Sequence, residues 1–292
     1  MTLMNVDNTS YKKAYAAALS DKEFRRLSEF VYEQCGIRMP RTKKTLLEGR
    51  LRKRLNALGM ESFEEYCGYL FSPGKIATEC IHMIDVVTTN KTDFFREPAH
   101  FDYLLQKVLP ELVNIHGLGV KTRLNVWSTA CSTGEEPYTL AMVLSEFAQA
   151  FSDLRFYILA SDISTRALEK AKCGVYEHES IEPVPMALRK KYLLRGKDNQ
   201  KGMVRIAPEL RSLISFRRIN LMDKDYGIGE WVSIVFCRNV LIYFDKPTQE
   251  KVLSNLCETL IQGGYLFTGH SETLQGLKLP LTNVATTIYR KQ

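Results

Sequence analysis

Two adjacent glutamates, Glu135 and Glu136, stand directly behind a run of small residues in WSTACSTGEEPYTLAM (127–142), and an aspartate, Asp162, ends the apolar stretch RFYILASD (155–162). A small-residue turn from a buried strand into a helix commonly holds a nucleotide, yet the glycine fingerprint of a dinucleotide site is missing. A phosphate prefers a bare helix N-terminus, where free amides and the dipole favour negative charge, and two carboxylates there would repel it. An ammonium or a sulfonium would be accepted instead. Asp162, at the tip of the next strand, is placed to take hydrogen bonds from two ribose hydroxyls. Acids in a first helical turn also serve as simple dipole partners, and alone the two glutamates read that way. Together with a second-strand aspartate they point to a positively charged, phosphate-free adenosine, of which S-adenosylmethionine is the example. Spacing does not decide between Glu135 and Glu136.

To bring these residues together the chain must supply a sheet with their turns at one edge. Strands are expected at 123–130, 155–162, 213–220, 231–239 and 264–271, with a last strand ATTIYRK at 285–291; helices are expected at 135–150, 164–174 and 246–263. Alternating helices and almost fully apolar strands describe an α/β fold, a doubly wound, mostly parallel sheet covered on both faces. Residues 175–212 interrupt the alternation and are too long for a plain crossover, so they read as an inserted subdomain, with LRKKYLLRG helical and KGMVRI a short strand. Upstream, residues 1–19 are a polar tail, expected to be partly disordered. Residues 20–88 form a small all-helical domain of four helices, opened by Ser20 or Asp21 as cap, with Leu47, Leu51, Leu55 and Leu58 on one face of the second and Gly59 as its stop.

The chain has 292 residues, 45% hydrophobic and 25% charged, with a net charge of +7. This is the composition of an ordinary globular protein with a moderately basic surface that suits an acidic partner. Seven scattered cysteines without a C-x-x-C pair argue against a disulfide framework and a zinc ribbon. No metal site is expected. The N-terminus lacks a secretory signal and no apolar run approaches a membrane span, so a cytosolic protein with no membrane insertion is expected.

The segments TTNKTDFFRE, WSTACSTGEEPYTLAM, ILASDIS, FCRNVLIYFDKPTQ and GGYLFTGHSE, in this order over roughly 20–290, resemble the chemotaxis receptor methyltransferases of the CheR family. The resemblance implies a sheet of the S-adenosylmethionine-dependent methyltransferase type, a helical N-terminal domain, a linker (89–100) that contributes to the donor site, and a methyltransferase domain (101–292) with a small antiparallel β insert. It implies methyl transfer from S-adenosylmethionine, leaving S-adenosylhomocysteine, to glutamates on cytoplasmic helices of chemoreceptors. By motif, Asn90, Thr92, Arg96, Glu136, Asp162, Asn220, Leu221, Arg238 and Asn239 would hold the donor, and Arg96 and Tyr243 would lie nearest the methyl group. Some members tether a receptor peptide through the insert by a glycine-rich turn; here the turn reads RGKDNQKGMV.

The chemistry agrees with the residues available. A glutamate acceptor, of reference pKa about 4.3, is ionised near neutral pH and needs no general base. The fourth strand ends in CRNVLIYF, without the Pro-Pro-Tyr of amino-group methylation, and Cys237 reads as a buried structural thiol, not the nucleophile of pyrimidine methylation. Arg38 to Arg54 carries eight basic residues and one acid, Glu48. Arg50, Arg52 and Lys53 point away from the leucine face and Arg54 lies at its edge, a surface suited to the acidic helices of chemoreceptors. The segment has no interleaved aromatics for stacking bases, so no nucleic-acid partner is expected. A monomer recruited to membrane-bound receptor arrays follows from the resemblance; an RNA methyltransferase and a non-catalytic S-adenosylmethionine-binding module are the alternatives.

Overall fold

The computed structural model of the protein describes residues 18–151, 154–229 and 231–292; most of the expected polar tail, 1–17, lies outside them. The chain divides into two compact units, the first ending at Thr89 and the second running from Asn90 to Gln292.

The first unit is helical. α1 (Asp21–Cys35) starts at Ser20, whose hydroxyl accepts from the Glu23 amide while the Glu23 carboxylate accepts from the Ser20 amide, and it stops at Gly36 in the left-handed region. A single 3-10 turn (Arg41–Lys43) leads into α2 (Lys44–Leu58), which buries Leu47, Leu51 and Leu55 and is ended by Gly59 at φ 69°. α3 (Phe63–Leu70) and α4 (Ile76–Val87) complete the unit.

The second unit opens with α5 (Ala99–Tyr103) and α6 (Leu109–Asn114), joined by a π-helical turn at Leu104–Val108. Sequence patterning left this stretch unassigned. It buries Leu104, Val108, Leu109 and Leu112 in the core. There follow β1 (Leu124–Ser128), α7 (Glu135–Ala148), β2 (Phe156–Asp162), α8 (Thr165–Cys173), β3 (Val175–Glu177), α9 (Met186–Tyr192), β4 (Leu193–Arg195), β5 (Met203–Ile206), α10 (Pro208–Arg211), β6 (Ile214–Arg218), β7 (Val232–Cys237), α11 (Lys246–Thr259), β8 (Leu260–Thr268), β9 (Leu281–Ala285) and β10 (Ile288–Lys291). The large sheet runs β6-β2-β1-β7-β8-β10-β9, parallel from β6 to β8 and antiparallel beyond. Strand order reverses between β1 and β7, so a ligand crevice belongs beyond the carboxyl ends of these strands. β3, β5 and β4 form a separate antiparallel sheet within the insert.

Three expectations are corrected. The last strand is a hairpin: β9 and β10 pair through a turn in which Thr287 takes φ 56°. A β-branched residue is unusual there, and without Gly or Asn the sequence carried no turn signal. The helix expected to reach residue 263 ends at Thr259, because Leu260 is fully buried and pairs with Val232. Of the stretch LRKKYLLRG (188–196) only the part up to Tyr192 is helical, as the end of α9; Leu193–Arg195 pairs with β5, tertiary pairing overriding local propensity.

Candidate functional site

β1 ends at Ser128, and the chain reaches α7 through Thr129–Gly134. Gly134 caps the helix at φ 101°, and a Cβ there would lie 2.8 Å from the Tyr176 hydroxyl and 2.9 Å from the Ala171 Cβ. The turn therefore requires glycine both for its backbone and for its close approach to β3 and α8. Ser132, at φ 50°, donates its amide to Asp162 Oδ2 at 2.9 Å, while Asp162 Oδ1 accepts from the Ser164 amide at 2.8 Å. Asp162 is 7% exposed.

The two glutamates separate in role. Glu135 accepts from Thr133 Oγ1 at 2.7 Å, back along its own turn. Glu136 accepts from Ser128 Oγ at 2.7 Å and lies 3.4 Å from Arg238 Nη1. Burial raises the pKa of both carboxyls; at Glu136 the Arg238 guanidinium opposes the rise without cancelling it.

The segment after Asn90 is fixed across this turn. The Asn90 carbonyl accepts from Ser132 Oγ at 2.9 Å, and the Phe95 amide donates to Thr139 Oγ1 on α7 at 3.2 Å. Phe94 is fully buried against the Tyr176 ring. Thr92 is half-buried in the same loop, and Arg96 donates to the Lys91 carbonyl at 3.3 Å. Phe95 and Glu97 both take positive φ. Non-glycine residues held there mark a backbone that its surroundings over-determine.

Arg238, 6% exposed at the end of β7, ties these parts together. It donates to the Arg96 carbonyl, to Glu97 Oε2 from Nη2 at 3.1 Å, and faces Glu136. Asn239, at φ 57°, donates its side chain to Glu97 Oε1 at 3.2 Å. Its amide and that of Gly269 donate to Glu272 Oε2 at 2.8 and 2.7 Å, and the Ile242 amide reaches Glu272 Oε1 at 3.2 Å. This holds the single turn Leu241–Tyr243 on which Tyr243 sits half-buried. Asn220 and Leu221 follow β6: Asn220 Oδ1 accepts from the Met222 amide, and Leu221 is buried with its carbonyl accepting from Tyr226.

Sequence reasoning gave no donor-site role to Glu97 or Glu272, although both lie inside the segments compared. Burial of Glu97 works against its charge, but Arg238, the His270 amide and Asn239 outweigh it and hold its pKa below the usual value. The available signal was an acid one residue past each turn motif, in FFRE and GHSE.

The four basic residues expected to meet a partner lie on α2 of the first unit. Arg50 donates to the Val87 carbonyl and to Thr89 Oγ1, Arg52 pairs with Glu48 at 2.5 Å, and Lys53 is exposed. Arg54 is committed to Glu79 by two hydrogen bonds of 2.7 and 2.6 Å.

The donor set of the second unit fits S-adenosylmethionine. The acid Glu136 beside the base Arg238 suits the ammonium and carboxylate of a zwitterion, Asp162 suits hydroxyls, and acids occupy the helix start that a phosphate would need. Residues 90–290 match the CheR methyltransferase SAM binding domain, and residues 22–88 the CheR methyltransferase all-alpha domain. The chemotaxis protein methyltransferase of Klebsiella aerogenes is 38% identical over 93% of this chain and 90% of its own. That of Escherichia coli is 37% identical over 93% and 91%, and that of Borreliella burgdorferi 37% identical over 89% and 91%. The chain belongs to the CheR family of chemotaxis methyltransferases and is an enzyme that uses S-adenosylmethionine.

Proposed function

We propose that this enzyme esterifies glutamate side chains on acidic cytoplasmic helices of chemoreceptors, acting as a cytoplasmic monomer recruited to receptor arrays. The observation that carries the residue assignment is the chain of contacts joining Asn90, Ser132 and Asp162 on one side and Arg96, Arg238, Glu97 and Glu136 on the other. S-adenosylmethionine supplies an electrophilic methyl group on its sulfonium. Asp162 orients the ribose, Glu136 the ammonium, and Asn90, Thr92, Asn220, Leu221, Arg238 and Asn239 complete the donor pocket. Arg96 and Tyr243 hold the acceptor carboxylate in line. The acceptor arrives ionised, so the residues need only align it and exclude water, and alignment of this kind can supply about 7–11 kcal/mol of a barrier. Arg50, Arg52 and Lys53 on α2 draw the acidic helix by charge, while Arg54 serves this surface by fixing α2 from within.

The test is incubation with labelled methyl donor and receptor-containing membranes, followed by mild base. Label released as methanol, and lost in Arg96→Ala and Tyr243→Phe, supports the proposal. Base-stable label on nucleic acid, or donor binding with no turnover, would remove it.

A further inference from the structure

We propose that Glu97, His100 and His270 form a binding site for a divalent transition-metal ion of the zinc class on the second unit. One donor atom from each lies within 4.8 Å of the others. His100 Nδ1 stands 3.4 Å from Glu97 Oε2, and His270 Nε2 stands 4.0 Å from the same oxygen. In a tetrahedral zinc site, with bonds of about 2.0–2.2 Å, neighbouring ligand atoms are about 3.4 Å apart. The first distance already has that value. The second needs only a small movement of His270, whose side chain is 52% exposed.

The stronger argument is the orientation of His100. Its side chain is 2% exposed, and Nε2 lies 2.9 Å from Thr287 Oγ1. With its proton directed to the Thr286 carbonyl, 2.8 Å away, the Thr287 hydroxyl accepts from His100 Nε2–H. The neutral ring therefore carries its proton on Nε2 and turns a bare lone pair on Nδ1 towards Glu97. Among the described residues Nδ1 is a buried polar atom without a hydrogen-bond partner. A lone pair facing a carboxylate oxygen at 3.4 Å is unfavourable unless a cation lies between them. A metal-ligating histidine is usually held from behind by an acceptor on its other ring N–H, and here the Thr287 hydroxyl takes that place.

Glu97 can serve the ion while Oε1 keeps Asn239 and the His270 amide; Oε2, which takes both Arg238 contacts at 3.1 and 3.3 Å, shares its density between the guanidinium and the ion. Two imidazoles, one carboxylate and an open side at His270 form the donor set that zinc takes with a water in the fourth position.

The test is calorimetric titration of the untagged full chain with zinc chloride alone. One site is expected in the wild type, weakened about 10–100-fold or more in His270→Ala and about 10–100-fold in Thr287→Val, with Thr287→Ser retaining affinity. Equal affinity in His270→Ala and wild type, or no binding to wild type at millimolar zinc, overturns the site. Cobalt provides a second reading. A tetrahedral spectrum without thiolate charge transfer supports the site, and a thiolate band would place the ion on a cysteine such as exposed Cys173 and overturn it.

Discussion

Each unit sets a glutamate against an arginine, and the two pairs are built to different ends. In the helical unit Glu79 is 1% exposed, and Arg54 meets it fork to fork at 2.6 and 2.7 Å, with the Tyr66 hydroxyl closing the set at 2.9 Å. In the sheet unit both Arg238 contacts to Glu97 fall on one oxygen, at 3.1 and 3.3 Å, and the guanidinium is shared with Glu136 and with a backbone carbonyl. The first pair is closed, every strong acceptor answered by a donor of its own. The second is a branch point set among residues of positive φ, Phe95, Glu97 and Asn239. A closed pair fixes helices. A branched one leaves opposite charges side by side, the arrangement that the proposed zwitterionic donor would need.

The largest effect expected breaks the closed pair. Glu79→Ala leaves Arg54 buried without its partner and should lower stability by about 3–5 kcal/mol in urea unfolding. Replacing both residues with apolar ones, Arg54→Met with Glu79→Leu, should recover most of that loss. If Glu79→Ala unfolds like the wild type, the pair is not a structural clamp and the contrast fails.

On the other side, Asp162→Ala removes an acceptor, and two charge-assisted hydrogen bonds of about 1.5–3 kcal/mol each go with it. Affinity for S-adenosylhomocysteine should fall at least about 100-fold by calorimetry, the equivalent of about 2.7 kcal/mol. Unchanged affinity would show that the second-strand acid does not hold the ribose.

A pH series sharpens the same comparison. Burial, opposed by Arg238, raises the Glu136 pKa, so this carboxyl takes up its proton at a higher pH than an ordinary glutamate. Because the folded value lies above the unfolded one, the group by itself favours the fold as pH falls through that value. If Glu136 is the ammonium partner proposed above, that role runs the other way, full above the raised pKa and lost below it. Donor affinity should therefore decline by up to about tenfold per pH unit on the acid side, and Glu136→Gln should bind more weakly than the wild type above that pKa and converge with it below, with that limb removed. A limb that survives in Glu136→Gln would assign the titration elsewhere.

Much of this was legible in the chain. The acidic turn, the second-strand aspartate and the alternation of apolar strands with helices follow from spacing and period, because burial writes them directly into residue type. The hairpin at Thr287 was not legible, since its left-handed residue is a threonine, and neither was the end of α11, where Leu260 obeys its partner strand. The parts of Glu97 and Glu272 escaped for another reason. Each collects donors far away in sequence, Glu97 from Arg238 and Glu272 from Asn239, and no local pattern records which acid the fold will surround with amides. Arg54 shows the reverse error of reading charge alone. In the sequence it belongs to a basic run; in the fold it is the outer half of a salt bridge whose buried half is Glu79.

The smallest expected effect concerns what remains of that run. Arg50 closes the carbonyl end of α4 and Arg52 pairs with Glu48, so reversing either charge would also disturb the unit. Lys53 is exposed, and Lys53→Glu should leave the fold and S-adenosylhomocysteine affinity intact. If α2 draws an acidic receptor helix, this change alters only a long-range attraction, acting on encounter more than on the bound complex. Methylation of receptor membranes should then drop by up to about tenfold at low ionic strength, and the difference should shrink once the Debye length falls to about 3 Å near 1 M salt. Equal rates for both proteins at low salt would reduce the basic run to a solvated surface. In that case the helical unit would have to recognise its partner through some other face, and the closed pair Arg54–Glu79 would be scaffolding without a docking surface to support.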